Sequence, residues 1–116
     1  MISQPIGYLI SAITSTSVII TKFIRSVLLS HADLAPVNYD LSDLRLLLKL
    51  IKEQPAIPES LQSQTLLVLE CCGNALIHID AVLGKYTGPE QWVTYGRTEM
   101  ANCRSSIAIF REALAL

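Results

Sequence analysis

Three cysteines, two histidines and ten carboxylates are the side chains of this 116-residue chain most able to do chemistry. Cys71 and Cys72 are adjacent. On a helix they point about 100° apart, so they cannot chelate one metal as a CxxC pair does. Cys72 and Cys103 both fall on apolar stripes and read as small buried hydrophobes. His31 sits at the end of the first apolar segment, where a cation suits a helix C-terminus. His78 lies near Asn74 and Lys85 on an outer helical face. Neither histidine has a Cys, His or Asp set at ligand spacing, so no metal and no cofactor is expected. Glu70, Asp80, Glu90, Glu99 and Glu112 are scattered along the chain. General acid–base chemistry needs two such groups converging in one pocket. There is no Gly-rich phosphate loop, Ser-His-Asp set or nucleophile elbow. The residues point away from an enzyme.

Composition narrows the class further. The chain is 51% hydrophobic and 16% charged, with nine Lys/Arg against ten Asp/Glu and a net charge of −1. The charged share falls below the roughly 25% of ordinary soluble domains. One domain fits the length. The near-neutral balance without a basic cluster argues against nucleic-acid binding. The cysteine spacing argues against a zinc module or disulfide scaffold, and the hydrophobicity excludes intrinsic disorder.

The N-terminal segment stands apart. No charge occurs from Pro5 to Thr21. A secretory signal places its cations before the apolar run, whereas here the first cation, Lys22, follows it. Ser11, Thr14, Ser15, Thr16, Ser17 and Thr21 interrupt the apolar residues. Such hydroxyls bond back to helix carbonyls, so they neither forbid membrane entry nor favour it. Two readings stay open: a helix of a soluble bundle, or a segment that enters a membrane under some condition.

Apolar residues recur at three-and-four spacing in four segments, which predicts four helices. The first runs from Pro5 to about Ser30 through Ile6, Leu9/Ile10, Ile13, Ser17, Ile20, Phe23/Ile24 and Val27/Leu28. Pro36 is expected to break the pattern, with Asn38, Asp40 or Ser42 capping a second helix. That helix has the stripe Leu41, Leu44, Leu47/Leu48 and Ile51. Pro58 and Glu59 open a third helix, striped by Leu61, Thr65, Val68, Cys72, Ala75/Leu76, Ile79 and Leu83. Gly84 is its expected C-terminal cap. Gly88-Pro89-Glu90 opens a fourth, striped by Val93, Gly96, Met100, Cys103, Ile107, Phe110 and Leu114. Gly96 within that stripe suggests close approach of a neighbouring helix. The expected fold is all-α, an antiparallel up-down four-helix bundle. Leu47, Val68, Cys72, Ile79, Met100, Ile107 and Phe110 are expected to be nearly fully buried. The fourth helix is expected to run to Leu116, and its uncapped apolar end reads as the edge of a domain within a longer chain.

The pattern resembles a known family. Its elements are the hydroxyl-rich first helix, Leu41-Ser42-Asp43-Leu44-Arg45-Leu46-Leu47-Leu48-Lys49-Leu50, Leu66-Leu67-Val68-Leu69-Glu70-Cys71-Cys72, Leu83-Gly84-Lys85-Tyr86 and Trp92-Val93-Thr94-Tyr95-Gly96-Arg97-Thr98-Glu99-Met100. It is similar to the HeLo-like N-terminal domains of fungal STAND receptors, including the azaphilone-pigment cluster protein L type, which often precede NACHT or ankyrin regions. The resemblance implies a cytoplasmic bundle that is signalled by downstream domains of the same chain. On activation it would self-associate and act at the plasma membrane in programmed cell death of the heterokaryon-incompatibility kind. The membrane element would be the first helix, Ile6 through Phe23. Some lethal members carry a glycine zipper there. This chain has Gly7 alone, with serine and threonine at the other small positions. Membrane or partner contact would then fall to Ile6, Leu9, Ile10, Ile13, Val18, Ile20 and Phe23, with Lys22 and Arg25 at anionic headgroups. Trp92 reads in two ways, as a seal over the bundle end or as an exposed anchor. The alternative function is a helical interaction or autoinhibitory module without membrane activity.

Overall fold

In a computed structural model, residues 3–54 and 57–114 are described. They form α1 (Ser3–Ser26), a 3-10 turn (Leu28–Ser30), α2 (His31–Lys52), α3 (Glu59–Lys85), a first turn α4 (Pro89–Gln91), a π-helical turn (Trp92–Gly96) and α5 (Arg97–Leu114). The last three run on as one rod. The described residues form an all-α bundle of four rods without strands, 48 Å long and 19 Å across. The expected run of the fourth helix to Leu116 passes outside the described residues.

The order of the rods is set by which faces are apolar. α1 packs on α2 and α3, and α5 packs on the same two. Polar contacts give the directions. Thr16 of α1 meets Asp80 of α3, and Asp33 and Asp40 of α2 meet Arg97 and Arg104 of α5, all 64 residues apart. A constant offset means parallel neighbours. The chain therefore folds as two helical hairpins, α1–α2 and α3–α5, laid side by side. Successive rods alternate in direction as expected. The α2 and α3 rods, however, lie across the bundle from each other. A meander with every sequence neighbour adjacent would have made them a packed pair.

Several local expectations are corrected. Pro36 does not break a helix, and Asn38, Asp40 and Ser42 do not cap one. All four lie inside α2, which begins at His31. Leu34 and Val37 extend the apolar stripe of Leu41, Leu44 and Leu48 past the proline, and that burial outweighs the one backbone bond the proline removes. His31 consequently opens a helix instead of closing one. Gly84 lies within α3, which ends at Lys85 with Tyr86 as the capping residue. Leu28, placed on the first stripe, sits in the 3-10 turn and is exposed.

The core contains Cys72, Ile79, Met100 and Ile107 as expected. Leu47, Val68 and Phe110 are only half-buried. Leu47 lies on the α5 side of the α2 stripe. Val68 marks where cover over α3 ends. Leu9 packs beside Gly73, which places Ser3 of α1 level with about residue 67. The first turns of α3 therefore extend past α1, and Leu61, Leu66 and Leu67 are exposed. Ile107, fully buried, touches the centre of this core. Replacing it with alanine is expected to cost about 2–5 kcal/mol, read as a lower urea midpoint with an unchanged slope.

Candidate functional site

The polar side chains are sorted by helix face. Heptad spacing on α2 sets Asp33 and Asp40 one above the other, and Arg97, Arg104 and Arg111 repeat the spacing on α5. Arg97 Nε donates to Asp33 Oδ2 at 3.0 Å and Arg104 Nε to Asp40 Oδ2 at 3.0 Å. Arg111 donates to Asp40 Oδ1 at 3.1 Å and to Asp43 Oδ2 at 2.9 Å. The four ion pairs join α2 to α5, and Asp40 is buried between two guanidinium groups.

At one end, Trp92 settles between the rods. It is fully buried, its indole N–H donates to Asp33 Oδ2 at 2.9 Å, and its ring lies 5.1 Å from that of Phe23. This is the sealing role of the two read from the sequence. Trp92 offers no exposed anchor. The π turn explains how it fits. One extra residue per turn moves Val93 out to solvent and brings Trp92, Gly96 and Met100 onto the inner face. Gly96 is packed closely, but against Trp92 of its own rod. A Cβ at Gly96 would lie 2.5 Å from the indole Cε3. The expected close approach of a neighbouring helix is thus corrected to an aromatic ring folded back over the helix. Beside it, Tyr86 donates to Glu99 Oε1 at 2.9 Å and stacks on Tyr95 at 5.8 Å.

One pairing was not legible from spacing. His78 and Cys103 lie 25 residues apart on antiparallel α3 and α5, and Sγ meets Nδ1 at 3.5 Å. The pair resembles a Cys–His nucleophile in composition only. Burial first, and then the Glu99 charge, raise the Cys103 pKa, and the sulfur is closed off from solvent. Cys72 is pushed up to about 11 by burial and by Cys71. A thiolate is the reactive form, so native Cys72 and Cys103 should resist alkylation at pH 8 while exposed Cys71 reacts. One fast thiol per folded chain and three after denaturation are expected by mass spectrometry. Two fast native thiols would contradict the burial. The raised Cys72 value also means that the folded state holds its proton when the unfolded chain, near 9, releases it. Stability should therefore fall between about pH 9 and 11.

The residues expected to contact a membrane do not share one surface. Ile6, Leu9, Ile13, Ile20 and Phe23 are core residues, and Ile10 packs half-buried against them. Val18, Lys22 and Arg25 are exposed. The sequence pointed to α1 alone as a candidate span. Gln4–Ser26 and Glu59–Lys85 are both long and apolar enough to cross a membrane. α3 was missed because Glu70 and Asp80 interrupt it, although it is the more hydropathic of the two, 1.7 against 1.4. Among the described residues, no three His, Cys, Asp or Glu converge as metal ligands. No known protein family, curated protein or solved structure matches the chain.

Proposed function

We propose that this bundle is a membrane-acting effector and that α1 is its working element. Clustering by downstream parts of the same chain releases α1 into the inner face of the plasma membrane. This is the role that the HeLo-like resemblance implies, with cell death as its outcome. The observation that carries the reading is how α1 is held. α2 and α5 are joined by four ion pairs. Among the described residues, α1 makes one polar bond to another helix, from the Thr16 hydroxyl to Asp80 Oδ1 at 3.0 Å.

The rest of its attachment is apolar: Ile6, Leu9, Ile13, Ile20 and Phe23. Apolar burial is worth about 25 cal/mol per Å² whether the surroundings are protein or hydrocarbon. A helix held this way exchanges one apolar environment for another and breaks no ion pair. What is lost is the cover over α2 and α3. A second copy can restore that cover, so release depends on local concentration and hence on clustering.

A second reading has its own support. Leu61, Leu66, Leu67 and Ile77 leave an exposed apolar surface on α3, which suits an interaction module that never enters a membrane. Dye release from anionic liposomes, by the domain fused to an inducible oligomeriser, separates the two. Release on clustering is expected. No release, from a clustered domain that still binds itself or its downstream region, overturns the membrane reading in favour of the module.

A further inference from the structure

Among the described residues, the bases along the α1–α2 seam make no ion pair. α1 contains no acidic residue. The three aspartates of α2 are turned to the α5 arginines, and its bases, Arg45, Lys49 and Lys52, fall at four- and three-residue spacing on the side toward α1. Between the two helices runs an open groove of about 480 Å³. Lys22, Arg25 and Arg45 line it together with Ser17, Ser42 and Asn38, and no carboxylate does. Two buried atoms of the lining have no partner: Arg45 Nε, a donor, and Asn38 Oδ1, an acceptor.

Three cations lining one groove without an anion repel one another, and the low-dielectric walls of a groove strengthen the field they share. An anion relieves that repulsion, and a guanidinium with a free N–H offers it a charge-assisted bond. The unpaired acceptor adds a second requirement, because a bare anion has nothing to donate to Asn38. A phosphate group carrying its own proton, or a neighbouring hydroxyl, supplies both.

We propose that the groove between α1 and α2 binds a phosphomonoester, with Arg45, Lys22 and Arg25 on the phosphate oxygens and Asn38 accepting from a ligand hydroxyl. The site does not depend on the release of α1. A phosphomonoester arrives either free or as the headgroup of a lipid such as phosphatidic acid, and the chemistry at the groove is the same.

Calorimetric titration with glycerol 3-phosphate and inorganic phosphate tests the free form. Flotation with phosphatidylcholine vesicles containing phosphatidic acid tests the lipid form, and vesicles containing phosphatidylserine, a diester, serve as control. Binding of at least one monoester probe is expected, with dimethyl phosphate and phosphatidylserine much weaker. Arg45→Gln and the pair Lys22→Gln/Arg25→Gln should each weaken it at least tenfold. The exposed Lys22 and Arg25 keep the test sound if Arg45→Gln perturbs the fold. Lys85→Gln removes a cation that lies outside the groove lining, over the Tyr86 ring, and should change nothing. Binding of glycerol 3-phosphate assigns the free source, and binding only of phosphatidic acid vesicles assigns the lipid. Three results overturn the site: no binding of any monoester, equal binding of the diesters, or equal loss from Lys85→Gln.

Discussion

Replacing Trp92 by alanine should lower stability by about 3–5 kcal/mol, a large part of the 5–15 kcal/mol typical of a domain. The indole is fully buried, and its loss also removes the N–H bond to Asp33 at 2.9 Å and the ring contact with Phe23. Gly96→Ala tests the same packing from the other side. Helix propensity alone predicts a gain of about 1 kcal/mol from alanine. The new methyl would lie 2.5 Å from the ring of Trp92, which is fully buried, bonded to Asp33 and packed on Phe23. Overpacking of this kind costs about 1–3 kcal/mol. Gly96→Ala should therefore destabilise the wild-type chain but stabilise, or leave unchanged, the Trp92→Ala variant. Chemical denaturation of all four members of the cycle reads the coupling. Equal effects in both backgrounds would show that the ring does not rest on Gly96.

This corner also marks the limit of what a sequence pattern reveals. The spacing of Val93, Gly96 and Met100 looked like an unbroken α-helical stripe, and it put Val93 inside. A π turn changes the residue count by one, and no periodicity of side-chain type records that change. Pro36 differs for the opposite reason: the backbone-donor rule is local, and here tertiary burial of Leu34 and Val37 decides. Long stripes were legible because many residues vote for each face. Cys72, Ile79, Met100 and Ile107 accordingly fell where the spacing put them. Contacts between helices were not legible. The aspartates of α2 and arginines of α5 each look like solvated charges until parallel packing sets them opposite one another. The α1–α2 groove is the other side of that sorting. Once the acids of α2 are turned to α5, its bases are left facing α1, and only the fold makes the result visible.

An aspartate at position 15 should abolish dye release by the clustered domain while leaving the folded bundle intact. The two effects separate because of where α1 places its residues. Ile13 is buried, and a charge there would damage the core before any membrane is met. Ser15 is exposed on the outer side of the same helix. Surface substitutions of this kind change stability by no more than about 0.5 kcal/mol, so the thermal midpoint of Ser15→Asp should match that of the wild type. Position 15 is also near the middle of the candidate span Gln4–Ser26. A carboxylate at the centre of a bilayer costs about 2.5–3.5 kcal/mol per helix. Every copy in a cluster meets that cost, so a small assembly loses insertion almost entirely. Ser15→Asn, polar but uncharged, should retain most of the release. Full activity of Ser15→Asp in the leakage assay would mean that α1 stays in the bundle. The other helix long and apolar enough to cross, Glu59–Lys85, would then be the element that enters the bilayer.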